Sequence, residues 1–290
     1  MRVHACRARW PWLGTGMACM NMLWYFVCVF TLLALLGGGA VCAGVRARRR
    51  MAARRRAFGR TALPAHWEEI LRRRVPCYAR LPEEERTRVH AWMKIFLAEK
   101  SFVACGGLRC VNDAMALAIA GNACLLLAGR EAKEGGCFPS VSSVLVYPHV
   151  FCAPTRALLP GAGAEIVSTE TRAGEAAPWG TVVVAWREVL AAGAFAGNGS
   201  NVVLHEFAHH VRPSGKMLPE VIEAGWRRLC AEDDRAGVLD AYGAESREEF
   251  WAVAVEAFFE DSTRLRDSHG ELYAALAAFL ALDPAKWAPG

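Results

Sequence analysis

The chain has 290 residues and a net charge of +5, and its first 60 residues hold 11 arginines and no acidic residue. Subtracting those 11 positive charges leaves about −6 for the remainder, so the overall basicity is no sign of a nucleic-acid-binding domain. Of the 11 cysteines, seven lie beyond residue 62, an odd number with no CxxC pair, which argues against a disulfide framework and points to reduced thiols.

The N-terminus divides into three stretches. Residues 1–19 are a short lead segment with Arg2, Arg7 and Arg9. No charged residue then occurs until Arg46, and residues 20–45 contain an apolar run, Met20 to Leu36, long enough for a spanning helix of about 20 residues. Two readings remain open: an uncleaved transmembrane anchor, or a signal sequence cleaved near Ala40–Ala43. Residues 46–61 form a basic juxtamembrane linker that includes Arg46, Arg48, Arg49, Arg50, Arg54, Arg55, Arg56 and Arg60. The positive-inside rule keeps this richer side in the cytoplasm, so the domain that follows is expected to face the cytoplasm from the inner membrane. The arginines suit anionic headgroups, and no direct nucleic-acid binding is expected of them.

Residues 62–290 are long enough for one domain of mixed helix and strand, an α+β architecture. Helices are expected over 66–74, 82–100 and 113–127. β-rich runs cover 142–150 and 180–186, with 164–171 expected to pair with them. The apolar run Val182–Trp186 is the candidate strand beside a substrate groove, where an extended peptide would add to a sheet edge. A closing amphipathic helix is expected over 271–282. There is no internal repeat, phosphate loop or serine-nucleophile elbow.

The chemistry concentrates in His205-Glu206-Phe207-Ala208-His209, an HExxH motif. Two histidines four apart share one helical face, so both imidazoles reach a single zinc ion. Glu206 stands one residue after the first histidine, where it can act on a water as general base. Val202, Val203, Phe207 and Val211 give the helix a broad apolar face. A catalytic zinc takes a third protein donor. The extension that would place a third histidine at position 215 is missing, because Gly215 stands there. The better source lies in Ser246–Glu260, whose Ser246 and Glu249 have capping-box spacing. Glu256, seven residues after Glu249, falls on the same side and among apolar residues. A buried carboxylate needs a partner, and a metal would supply one. Glu256 is therefore the expected third ligand.

Three blocks together resemble the Mlc titration factor A (MtfA) family of gluzincin-type, zincin-fold metallopeptidases: Asn201–His209, Asp240-Ala-Tyr242 and Glu249–Phe259. Leu81–Glu85, Phe96–Lys100 and Val144–Pro148 extend the likeness, which spans roughly residues 62–287. The resemblance implies Zn2+ held by His205, His209 and Glu256, with Glu206 as general base. It also implies that Tyr242 is a hydrogen-bond donor near the site, and that Glu249 either supports the ligands or merely caps its helix. The implied activity is peptide-bond hydrolysis of an aminopeptidase-like kind, with a peptide or protein as substrate. The family name adds a different class of partner, a transcriptional regulator captured by binding. The segment after the second histidine, His210–Pro219, is shorter than the family's usual loop, and His210 turns away from His209 on the helix.

Overall fold

Helices built on apolar runs hold more than half of the described residues. The computed structural model describes residues 63–130, 136–149, 151–158, 165–172, 174–177, 180–194, 200–211, 217–231 and 237–287. The expected anchor or signal segment 20–45 and the linker 46–61 lie outside the described residues. Among the described residues no helix is long and apolar enough to cross a membrane.

Helix α1 (Ala65–Arg74) carries Glu68 in its first turn and Arg72, Arg73 and Arg74 in its last, matching the helix dipole. Helix α2 (Glu83–Glu99) opens on three glutamates for the same reason. Helix α3 (Asp113–Leu125) is capped by Asn112, whose side chain accepts from the Met115 N–H. It is apolar nearly all round and therefore central, with Leu117 to Leu125 all buried. At Gly121 a Cβ would stand 2.8 Å from Leu71 and Val75, so α1 can lie against α3 only because that side chain is missing.

Strands β1 (Ser101–Ala104), β2 (Ser143–Tyr147) and β6 (Thr181–Ala185) run parallel, and β5 (Gly174–Ala177) lies antiparallel along β6. The sheet order is β1-β2-β6-β5. Val144 pairs with Val182 and Val146 with Val184, and all four are fully buried on one face. Strands β3 (Phe151–Leu158) and β4 (Glu165–Arg172) form a separate antiparallel ribbon.

Two expectations change here. The stretch 164–171 does not join the two apolar strands, because β4 pairs along its whole length with β3. The run at 182–186 is not a sheet edge either. Strand β6 is hydrogen-bonded on both sides, by β2 and by β5, and Trp186 already begins helix α4 (Trp186–Ala194). A near-continuous apolar run marks a strand covered on all sides, so it argues for the middle of a sheet. The edge strand beside β6 is the short β5.

Helix α5 (Val202–Ala208) is seated by the aromatic cluster of Phe96, Phe138 and Phe207, whose ring centroids lie 4.8 to 6.1 Å apart. Helices α6 (Met217–Cys230) and α7 (Arg247–Glu260) follow, with a 3-10 turn, Ala241–Ala244, between them. The Trp251 indole N–H of α7 donates to the Ala208 carbonyl at 3.0 Å, which ties α7 to the end of α5. Helices α8 (Ser262–Ser268) and α9 (Gly270–Leu280) close the chain.

Candidate metal centre

The first half of the site comes from α5. Asn201 caps it, its side chain accepting from the Leu204 N–H at 3.2 Å. Val203, Leu204 and Phe207 are fully buried, which fixes the rotation of the helix and turns His205 and His209 to one side. His209 follows the last helical residue but keeps right-handed backbone angles, so it still lies one turn beyond His205. The two imidazole centroids are 5.2 Å apart.

The second half comes from α7. Ser246 caps it by accepting from the Glu249 N–H at 3.1 Å. The Glu249 side chain does not complete a capping box: its carboxylate turns to the histidines. Glu249 Oε2 lies 2.9 Å from His205 Nε2 and 3.7 Å from His209 Nε2. Two turns along α7, Glu256 Oε1 lies 2.6 Å from the other ring nitrogen of His205, Nδ1. The His205 ring is thus held between two carboxylates of a single helix.

This arrangement reassigns the third donor. Glu256, expected to join His205 and His209, sits on the Nδ1 edge of His205, away from the space the two Nε2 atoms share. The carboxylate facing both Nε2 atoms belongs to Glu249. The physical reason lies in burial. Glu256 is 9% exposed and its second oxygen is satisfied by the Asn201 backbone N–H at 2.6 Å, so it needs no cation. Glu249, at 22%, lies toward solvent, where a catalytic metal must keep a position open.

Donor chemistry and spacing suit zinc. One ligand atom from each of His205, His209 and Glu249 falls within 4.8 Å of the others. Donors about 2.0–2.1 Å from a tetrahedral zinc stand about 3.3 Å apart, and the two carboxylate–imidazole distances of 2.9 and 3.7 Å lie on either side of that. Glu256 supplies the outer partner that metal-binding histidines ordinarily have at their second nitrogen.

The electrostatics agree. Burial opposes charge on the His205 imidazole, yet the hydrogen bonds to Glu249 and Glu256 and the charge of Glu206 prevail and push it up to about 10. Burial raises the Glu249 carboxyl, but its bonds to His205 and His209 outweigh this and bring it down to about 2. A paired cation and anion therefore stand where a metal ion and its ligands would.

Glu206 is buried on the same helix and adds its negative charge to the surroundings of His205. Tyr242 sits on the 3-10 turn, where Asp240 accepts its backbone N–H at 2.9 Å. Its ring centroid is 5.9 Å from that of His205, and the residue is 47% exposed, so its phenol borders the site from the open side. His210 lies elsewhere, with Nδ1 2.9 Å from Ser140 Oγ. Two buried polar residues behind Glu256 went unnoticed in the sequence, Asn201 as a network node and Glu260. The signal for Glu260 was an acidic residue one turn after Glu256 in an otherwise apolar helix.

Comparison with known proteins points the same way. A family model described as glucose-regulated metallo-peptidase M90 matches residues 48–280. An uncharacterized protein of Synechocystis sp. is 32% identical over 243 residues, covering 77% of this chain and 86% of its own length. Mlc titration factor A of Escherichia coli O127:H6 is 26% identical over 245 residues, covering 77% of this chain and 88% of its own. The protein of the same name from Shigella flexneri shows the same identity and coverage.

Proposed function

The chain belongs to the M90 family of metallopeptidases, and from that premise we propose that it hydrolyses peptide bonds with a zinc ion held by His205, His209 and Glu249. The observation that carries this reading is the convergence of the Glu249 carboxylate on both Nε2 atoms. Zinc supplies Lewis acidity in such a site, polarising a carbonyl and lowering the pKa of water to about 7.

The remaining work belongs to the protein. Glu256 accepts the His205 Nδ1–H, which fixes the ring and leaves Nε2 as the donor atom. Glu206 takes a proton from the attacking water at its carboxylate and returns it to the leaving amine. Tyr242 donates its phenol proton in a hydrogen bond to the oxygen that becomes negative in the transition state. An extended substrate backbone fits the outer edge of β5 better than β6, because both sides of β6 are already paired. Substrates are peptides or proteins, and the family resemblance favours cleavage near a free N-terminus. In the same reading the segment 20–45 anchors the domain at the cytoplasmic face of the inner membrane.

The test is Glu206→Gln in the full chain, with zinc content measured beside peptide turnover. We expect zinc to be retained and turnover to fall by about 100-fold or more. Full turnover would refute the role given to Glu206. A second reading follows from the name of the Escherichia coli relative, Mlc titration factor A: capture of a transcriptional regulator, with the metal site secondary. Under that reading Glu206→Gln leaves regulator binding intact and the wild type turns over no peptide.

A further inference from the structure

We propose that Glu260 and Asn122 are positioning residues for the metal site, acting through Asn201 on the Glu256–His205 pair. The inference rests on the zinc reading above and extends it to residues that touch neither the ion nor the substrate.

Asn201 is the joint. It is 1% exposed and makes five hydrogen bonds, one of them from the His205 N–H to its backbone carbonyl at 3.0 Å. Its Oδ1 accepts from the Leu204 N–H at 3.2 Å, which starts α5. Its backbone N–H donates to Glu256 Oε2 at 2.6 Å. Its Nδ2 donates to Asn122 Oδ1 and to Glu260 Oε1, each at 2.9 Å. Asn122 is held in turn, its Nδ2 donating to the Ala118 carbonyl at 3.0 Å. Three helices, α3, α5 and α7, therefore meet through one amide.

The direction of every bond is determined. An amide has one acceptor end and one donor end. Asn201 must present oxygen to the Leu204 N–H, so its nitrogen must face Asn122 and Glu260. Both of those present oxygen. Rotating the Asn201 amide by half a turn would set its oxygen against two other oxygens and its nitrogen against an N–H. Glu260 and Asn122 thus permit a single orientation of the cap. That orientation sets the start of α5 and places the backbone N–H that holds one oxygen of Glu256. The other oxygen of Glu256 holds His205 Nδ1. The chain of contact runs from Glu260 to Asn201, to Glu256, to the ring that presents Nε2.

Packing alone does not call for a carboxylate at position 260. Its neighbours along α7, Phe258 and Phe259, are fully buried, and an apolar side chain of similar size would fill the same space. Orientation is what the carboxylate adds.

The test compares the full-length wild type with Glu260→Gln, Glu260→Met, Asn122→Leu and His209→Ala. Zinc affinity is measured by competition with a chromophoric chelator. Cobalt is then substituted for zinc and its visible bands recorded. Glu260→Gln keeps an acceptor oxygen and should bind zinc within about threefold of the wild type. Glu260→Met and Asn122→Leu should each weaken zinc by about 10- to 100-fold and shift the cobalt bands, as expected for an outer partner of a metal site. Circular dichroism and a cooperative melt establish that the variants are folded. If Glu260→Met does not fold, Asn122→Leu decides alone. Folded variants with wild-type zinc affinity and cobalt bands would overturn the positioning role and leave the zinc reading standing. A wild type that binds no zinc, or binds it undiminished in His209→Ala, overturns the zinc reading and this inference with it.

Discussion

Glu249 has two tasks within reach and its side chain performs only one. Its backbone N–H completes the Ser246 cap, which leaves the carboxylate free to face His205 and His209. Glu256 serves the same ring from the opposite edge. Replacing each should separate the two roles. Glu249→Ala is expected to lose zinc by more than the 10- to 100-fold that an outer residue accounts for, whereas Glu256→Gln should stay within that range. Metal analysis after dialysis against a graded chelator reads both. Proton linkage gives an independent check. The folded-state pKa of His205, about 10, lies above its ordinary value of 6.5, so charge on this ring stabilises the metal-free fold below about pH 6.5. That contribution is lost as pH rises through about 10. Under the proposed zinc binding the ion displaces this proton, so binding near pH 8 should release about one proton and tighten as the pH rises. Titration calorimetry in buffers of different ionisation enthalpy measures the release, and none at pH 8 would contradict the pairing described.

Among the elements, α6 and α7 show how close packing holds the site. At Gly225 of α6 a Cβ would stand 2.5 Å from the end of the Phe250 ring, and Phe250 is fully buried. Gly225→Ala is expected to cost about 1–3 kcal/mol through overpacking, measured by denaturant unfolding. Because Phe250 neighbours Glu249 on α7, weaker zinc binding should accompany that loss. The helices that carry the site were legible. Asn201 and Ser246 are capping residues that precede apolar periodicity, and both cap as their types suggest. The strands were less so. The apolar run of β6 showed that a strand was there but not that it lay inside the sheet. Four-residue β1 and β5 are too short to leave a periodic signal. Pairing of β4 with β3 depends on which strand arrives beside it, a contact between residues far apart in the chain.

For the whole molecule, charge is divided along the sequence. The first 60 residues carry all of the positive excess, and the rest is mildly acidic. If the segment 20–45 anchors the domain with its arginines inside, reporters fused after Gly290 should be active as cytoplasmic fusions and silent as periplasmic ones. An active periplasmic fusion would reverse the orientation. The sequence by itself determined the chemistry at hand: two histidines at a spacing that any α-helix converts into one face, with a glutamate next to the first. It also determined that α7 would carry Glu249 and Glu256 on one face, since seven residues are close to two helical turns. Only the tertiary structure decided which carboxylate meets which nitrogen. Both glutamates face the same way along α7, so their roles depend on how deep each lies where α5 crosses. The deeper Glu256 finds the Asn201 N–H and His205 Nδ1, and the shallower Glu249 is left beside the two Nε2 atoms at the open side. Depth is a property of two packed helices, and no spacing within either one contains it.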